Sequence, residues 1–327
     1  MSQEFSAVDR IIEATRTKRT VLCAGFDPRL EWTPRGILDW ALKEFGRTYE
    51  AAGRAILQYN LLVLSATAPF VAAVKLQIGF YEPYGHWGIW AYEQTLACAR
   101  QLGLVAIADV KRGDGEYTAE SYARTYLGVV PFWGDGGEQF TAVESPLRAD
   151  LLTIHPNVGS AGILPFVTEI KDGGGGAFVV TKTSYRPNSE VEQLATTLGI
   201  PVWQAVAHMV DDWGKGTEGK RGYRNLGVVM GATYPEDAVV MRQILPVSYF
   251  LIPGYGGQGA PADAAVMGFN EDGLGGLVNS SSALQYAYRY PRFQGPPERA
   301  SELAAKAAQA ARDDLNEALT RAGKLNW

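Results

Sequence analysis

Residues 104–123, LVAIADVKRGDGEYTAESYA, constrain this chain more than any other stretch. The opening LVAIADV is a continuous apolar run, which reads as a strand buried on both faces, as in a parallel sheet. Asp109 and Lys111 stand two residues apart, so alternation puts both side chains on one side of that strand. Asp114 follows just past the strand end, and an amphipathic segment begins near Glu116. An acid, a base and a second acid at the C-terminal end of a parallel strand occupy the place where α/β barrels keep their chemistry. On a solvent-facing strand such a pair is usually a weak ion pair. Here the apolar neighbours leave little solvent face, and a buried Asp and Lys must find partners. The functional reading therefore outweighs the structural one.

The same alternation recurs along the chain. Strands are predicted at 20–30, ending at Asp27 before Pro28, and at 70–85, with Lys75 inside. Others follow at 151–156, at 177–184, in LGVVMGAT, at 249–259 and at 273–282. Helical periodicity covers 5–17, 36–68, 90–103 (closed by Gly103), the segment to Leu127, and a stretch from about Ala161. Two helical stretches are expected between Val191 and Trp213, one beginning at Pro235, and a long Ala-rich one from about Glu298. Residues 128–149 show frequent Gly and Pro and no period. They read as a loop insertion on the surface, with a lid or a subunit contact as alternatives. Eight strands with helices between them favour an α/β chain of one domain over 1–327, a (β/α)8 TIM barrel. A doubly wound open sheet is the alternative, because periodicity alone does not separate the two.

Bulk properties narrow the function. With 46% hydrophobic and 20% charged residues the composition is that of an ordinary folded enzyme. The net charge of −5 offers no footprint for nucleic acid and no basic block for anionic membranes. No apolar run reaches the about 18 residues needed to span a bilayer, and the N-terminus lacks the apolar core of a signal peptide. Cys23 and Cys98 lie in apolar surroundings without metal spacing, so inert thiols in a reducing cytoplasm are expected. The three histidines are scattered singly.

In a barrel the strand ends form one ring, which here collects Asp27, Lys75, Asp109, Lys111, Thr183–Ser184, Pro253–Gly254 and Asn279–Ser282. Alternating charges can hold one another ionised in such a space. No His, Cys or carboxylate set has metal spacing, so chemistry with no cofactor and no metal is favoured, although lone carboxylates bind Mg²⁺ through water. PGYGGQG follows the seventh predicted strand. Glycines there let backbone N–H groups approach an anion, and barrels often bind phosphate after strands seven and eight. The glycine run at 173–176 precedes a strand at the opposite end and reads as a connection.

These residues resemble the orotidine 5′-phosphate decarboxylase family, in particular its longer bacterial and archaeal branch. The likeness spans nearly the whole chain and rests on CAGFDPRL, VKLQIGFYEPYG, the D-x-K-x-x-D run of ADVKRGDGEYT, VTKTS, GVVMGATYPE and LIPGYGGQGA. The D-x-K-x-x-D run belongs to a small superfamily of phosphate-binding barrels; Lys75 with FDPRL narrows it to the decarboxylase. The resemblance implies a nucleotide substrate, with Lys111 protonating C6 of the pyrimidine, Asp109 against the substrate carboxylate, and Lys75 holding Asp109 and reaching the ribose. It implies a homodimer with shared sites, Asp114 reaching across the interface and Thr118 joining it near the ribose. Asp27 would bind ribose hydroxyls and Ser184 the ring. Pro253, Gly254, Gln258 and Gly259, with Ser281 and Ser282, would complete the substrate-binding set around the phosphate.

Three positions depart from the family pattern. Ser282 stands where a phosphate-binding Arg is expected, with Arg289 and Arg292 nearby as substitutes; loss of a bidentate Arg–phosphate contact weakens binding. Gly115 replaces an apolar residue and Tyr185 an Asn, so affinity and specificity are affected more than reaction type. The alternatives are a Mg²⁺-dependent phospho-sugar lyase on the same barrel, a nucleotide-binding barrel without turnover, and an imine-forming aldolase using Lys111 or Lys182.

Overall fold

The computed structural model describes residues 5–134, 140–185 and 190–327. Eight parallel strands close into a barrel: β1 (Leu22–Phe26), β2 (Ala73–Gln77), β3 (Val105–Arg112), β4 (Leu151–Ile154), β5 (Gly176–Lys182), β6 (Arg224–Met230), β7 (Ser248–Ile252) and β8 (Gly276–Ser280). Each pairs with its sequence neighbours, and β1 closes the ring against β8. This is the (β/α)8 architecture; the open-sheet alternative is excluded by the β1–β8 ladder. Strand residues are buried on both faces, which is why they read as continuous apolar runs.

Two layers of apolar packing follow. Inside the barrel, Cys23, Val105, Ile107, Leu151, Phe178 and Leu277 fill the axis. The helix Ala7–Lys18 places Val8, Ile11 and Ile12 in that same cluster and so plugs the N-terminal end of the barrel. Ser6 and Asp9 form its capping box. Buried Asp9 also accepts from the backbone N–H groups of Lys220 and Arg221 at 2.9 and 2.8 Å, tying the plug to the loop before β6. The second layer lies between the strands and the surrounding helices.

The helices differ from the sequence expectation in two places. The 36–68 period is two helices, Arg35–Phe45 and Tyr49–Thr67, separated at Gly46 (φ +67) and restarted by Thr48, whose hydroxyl accepts from Ala51 N–H. Between Val191 and Trp213 one helix forms, Val202–Trp213, not two. Gly199 at φ +74 and Pro201 at its N-cap stop the preceding residues from joining it. Residues 128–149 hold an antiparallel ribbon, Val129–Trp133 against Phe140–Glu144; residues 135–139 of that segment lie outside the described residues. Its side chains are mostly exposed on both faces, so no alternation marked it in sequence. The C-terminal helix runs Ala300–Arg321. Among the described residues no helix is long and apolar enough to cross a membrane.

Candidate active site

The C-terminal strand ends surround a cavity of about 370 Å³, within the range for small-ligand sites. A wider groove between the helices Arg35–Phe45 and Tyr49–Thr67 is apolar and lies outside the barrel, away from the ionisable cluster. At the centre of the cavity wall stands Asp109. Its register partner on β2 is Gln77, and Lys75 lies two residues earlier on the same strand. Asp109 Oδ2 accepts from Lys75 Nζ at 2.6 Å and Gln77 Nε2 at 3.1 Å; Oδ1 accepts from Lys111 Nζ at 2.5 Å and Thr153 Oγ1 at 2.9 Å. Asp27 Oδ1 lies 3.8 Å from Lys75 Nζ and has no hydrogen-bond partner among the described residues, leaving a buried acceptor at the end of β1.

The local backbone makes this cluster possible. The β3–β4 register shifts between Ala108 and Arg112, so a bulge interrupts the ladder at Asp109–Lys111. Lys111 sits at φ +45, in the left-handed region that a residue with a Cβ seldom occupies. Its N–H is satisfied by Thr153 Oγ1 at 3.0 Å. The bulge re-aims the lysine at the strand end. Lys75 and Asp109 keep 7% of their side-chain surface, whereas Lys111 keeps 40% and faces the open cavity.

Burial alone would raise the Asp109 carboxyl, but Lys75 and Lys111, by charge and hydrogen bond, hold it well below the usual carboxylate range. Burial would lower Lys75, and Asp109 and Asp27 outweigh it, so the ammonium is held above the usual lysine value. The Lys75 ammonium and the Asp109 carboxylate thus stay charged in a water-poor pocket. Asp109 has all four of its contacts on proton donors, an arrangement suited to fixing ammoniums. Cys23 beneath the cluster is buried and its thiol is pushed up to about 12 by desolvation; Cys98 is only half-buried.

The opposite wall is formed by Ser184 after β5, by Pro253, Gly254 and Gln258 after β7, and by Ser281 and Ser282 after β8. Gly254 adopts φ +103, and a Cβ there would lie 2.9 Å from Ser184 Cβ, so a glycine is needed for the two loops to meet. Gly259 belongs to the same loop but does not line the cavity. Asp114 and Thr118 also lie outside it, both exposed; Asp114 Oδ1 accepts from Gly115 N–H at 2.6 Å.

Three contributors escaped the sequence reading. Gln77 and Thr153 are neutral strand-end residues whose role is visible only through Asp109. Arg29 is the third. Neither Arg289, stacked on Trp32, nor Arg292, beside a neighbouring hollow, lines the cavity, whereas Arg29 does. Tyr286 Oη accepts from Arg29 N–H at 2.5 Å, and its own N–H bonds Ser282 O at 2.9 Å. The Arg29 backbone is thereby pinned to the turn that carries Ser282. Its guanidinium packs 4.5 Å from the Trp32 ring centroid and 5.1 Å from that of Phe80, with Glu31 4.0 Å away. The only signal for Arg29 in the sequence is its place in FDPRL, two residues after Asp27.

Comparison with known proteins agrees with this geometry. Residues 22–267 match the model of the orotidine 5′-phosphate decarboxylase / HUMPS family. Orotidine 5′-phosphate decarboxylase of Clostridium acetobutylicum is 32% identical over 312 residues, covering 95% of this chain and 99% of that protein. The Rhodopirellula baltica protein of the same name is 34% identical over 274 residues, 84% and 86% of the two chains. The solved structure of Leishmania donovani OMP decarboxylase superposes with a TM-score of 0.67 at 25% identity, over 94% of this chain and 99% of that one. By strand order, cavity and sequence alike, the chain belongs to the orotidine 5′-phosphate decarboxylase / HUMPS family.

Proposed function

We propose that this protein is a cytoplasmic carboxy-lyase that converts orotidine 5′-monophosphate to uridine 5′-monophosphate in pyrimidine synthesis, without a cofactor. The observation that carries the reading is the Lys75–Asp109–Lys111 network, with one ammonium buried and the other open to the cavity. Loss of CO₂ breaks the C6–carboxylate bond and leaves its electron pair on C6 of the pyrimidine. The Lys111 ammonium stabilises that charge and then delivers the proton to C6. Asp109 keeps Lys111 aimed through the contact at 2.5 Å. Its carboxylate beside that of the substrate also disfavours the bound ground state relative to the CO₂-releasing transition state. Lys75 with Asp27 takes the ribose hydroxyls, and Ser184 takes the ring. The phosphate lies against the Gly254–Gly259 loop and Ser282, with Arg29 supplying the guanidinium that position 282 lacks.

The active form in this reading is a homodimer. Asp114 and Thr118 are exposed and outside their own cavity, next to Tyr117, which keeps 86% of its surface. In this reading they enter the partner's site, and their exposure outside their own cavity supports it.

The test is the ultraviolet change on mixing the protein with orotidine 5′-monophosphate in EDTA, with Lys111→Ala alongside. Turnover is expected to survive EDTA and to fall by about 10³-fold or more in the variant. Loss of wild-type activity in EDTA points to the metal-dependent lyase; uridine 5′-monophosphate binding without turnover points to a silent binder. Either result overturns the proposal.

A further inference from the structure

Lys182 is fully buried and takes no part in the network above. Alternation along β5 would put it on the inner face with Val180, which lines the cavity. The β5–β6 register shifts instead between Val180 and Lys182, a bulge that leaves Lys182 opposite Met230. The side chain then lies between the barrel and the helix Pro235–Ile244. There Nζ is 3.8 Å from Glu192, 3.8 Å from Asp237 in that helix's first turn, and 3.9 Å from the centroid of the Tyr234 ring. Among the described residues it has no hydrogen-bond partner. A desolvated ammonium is costly, so its two carboxylates and the aromatic face are what keep it there.

What the cluster holds is the loop that faces the ligand. Both carboxylate oxygens of Glu192 accept from Thr183 N–H, at 3.0 Å each, and Glu192 O accepts from Trp203 N–H at 3.0 Å. Glu192 therefore caps the end of β5 while fastened to the next helix. Gly231 N–H donates to Lys182 O at 2.8 Å, and Thr233 Oγ1 donates to Ser184 O at 2.9 Å. Thr183 and Ser184 both line the cavity.

We propose that Lys182 is a positioning residue: its buried ammonium neutralises Glu192 and Asp237, and through Glu192 it fixes the Thr183–Ser184 turn against the substrate's ring. The inference rests on the functional reading above for what Ser184 touches, but the staple itself does not. Ser184 contacts a part of the substrate that does not react. Loosening it removes binding common to ground and transition states, which raises KM and spares kcat.

The experiment compares Lys182→Met, Lys182→Arg and Glu192→Gln in the full-length protein, by steady-state kinetics and by amide hydrogen exchange. Lys182→Met should raise KM by about tenfold or more with kcat within a few-fold, and Lys182→Arg should recover part of it. Exchange should quicken in peptides covering 180–185 and stay unchanged in 105–112. Wild-type KM and wild-type exchange in Lys182→Met would overturn the proposal, as would equal losses in kcat with KM unmoved. If Lys182→Met does not fold, Glu192→Gln, which leaves the ammonium its Asp237 partner, must show the same KM rise and local exchange, or the staple is wrong. If the wild-type protein fails to turn over orotidine 5′-monophosphate, the functional reading fails, and the exchange difference alone still judges the staple.

Discussion

At the β3 end of the cavity the groups are ion-paired side chains held at 2.5–2.6 Å from one buried carboxylate, with Lys75 buried and Lys111 open to the cavity. At the β7–β8 end they are backbone amides, hydroxyls and a nearby guanidinium, and residues 256–259 are exposed. The first end is organised before any ligand arrives. Its desolvation cost is met within the fold, and charges fixed in this way act on a transition state without reorganising. The exposed donors of the second end, in the proposed reading, would have to shed water to meet an anion. The difference assigns labour: the β3 end should govern kcat, and the β7–β8 end KM.

The largest expected effect comes from breaking the first end. Asp109→Asn removes the charge that holds two ammoniums together, and kcat should fall by on the order of 10³-fold, read in a single-turnover assay. Stability should fall as well, by about 3 kcal/mol or more in urea titration, since two cations lose their shared partner. The pH dependence has a definite sign. The carboxyl of folded Asp109 ionises below its unfolded value of about 3.9, so its contribution is complete above that pH and is lost as pH falls through the lower folded value. The variant should therefore lose less stability than the wild type on acidification below about pH 4. An equal acid dependence in both proteins would show that Asp109 is not held ionised by the lysines.

The same division explains what could be read from sequence. Lys75, Asp109 and Lys111 stood out because a charge inside an apolar strand has few other uses, and the barrel followed from eight such strands. The bulge at Lys111 was not legible: i, i+2 spacing put the lysine on the correct side for a regular strand, and only the β3–β4 register shows that the backbone departs from one. Arg29 was missed because its placement depends on Tyr286, 257 residues away. The ribbon of Val129–Trp133 and Phe140–Glu144 was missed because a strand pair without a buried face carries no period.

Arg29 tests the second end. Arg29→Gln should raise KM for orotidine 5′-monophosphate by roughly 10- to 100-fold, the loss of a charge-assisted contact, while kcat at saturation changes little. The same variant should bind uridine, which has no phosphate, as tightly as the wild type does, by calorimetry. Equal weakening for uridine and uridine 5′-monophosphate would place Arg29 on the sugar or the ring and leave the phosphate to backbone donors. A loss confined to kcat would break the proposed division between the two ends.

The smallest expected effect sharpens the comparison most. Ser282 Oγ lies 2.6 Å from Tyr290 Oη, so its hydroxyl already has a protein partner and is the weakest of the expected phosphate donors. Ser282→Ala removes one neutral hydrogen bond, worth about 0.5–1.5 kcal/mol, so KM should rise by only about 2- to 12-fold, with kcat unmoved. Combined with Arg29→Gln, the two losses should add if each meets the phosphate independently. A combined loss smaller than the sum of the two would mean that Tyr286, which joins the Arg29 backbone to the Ser282 turn, makes them one unit. The anion end would then be as preorganised as the Asp109 cluster, although built from groups that carry no such mark in the sequence.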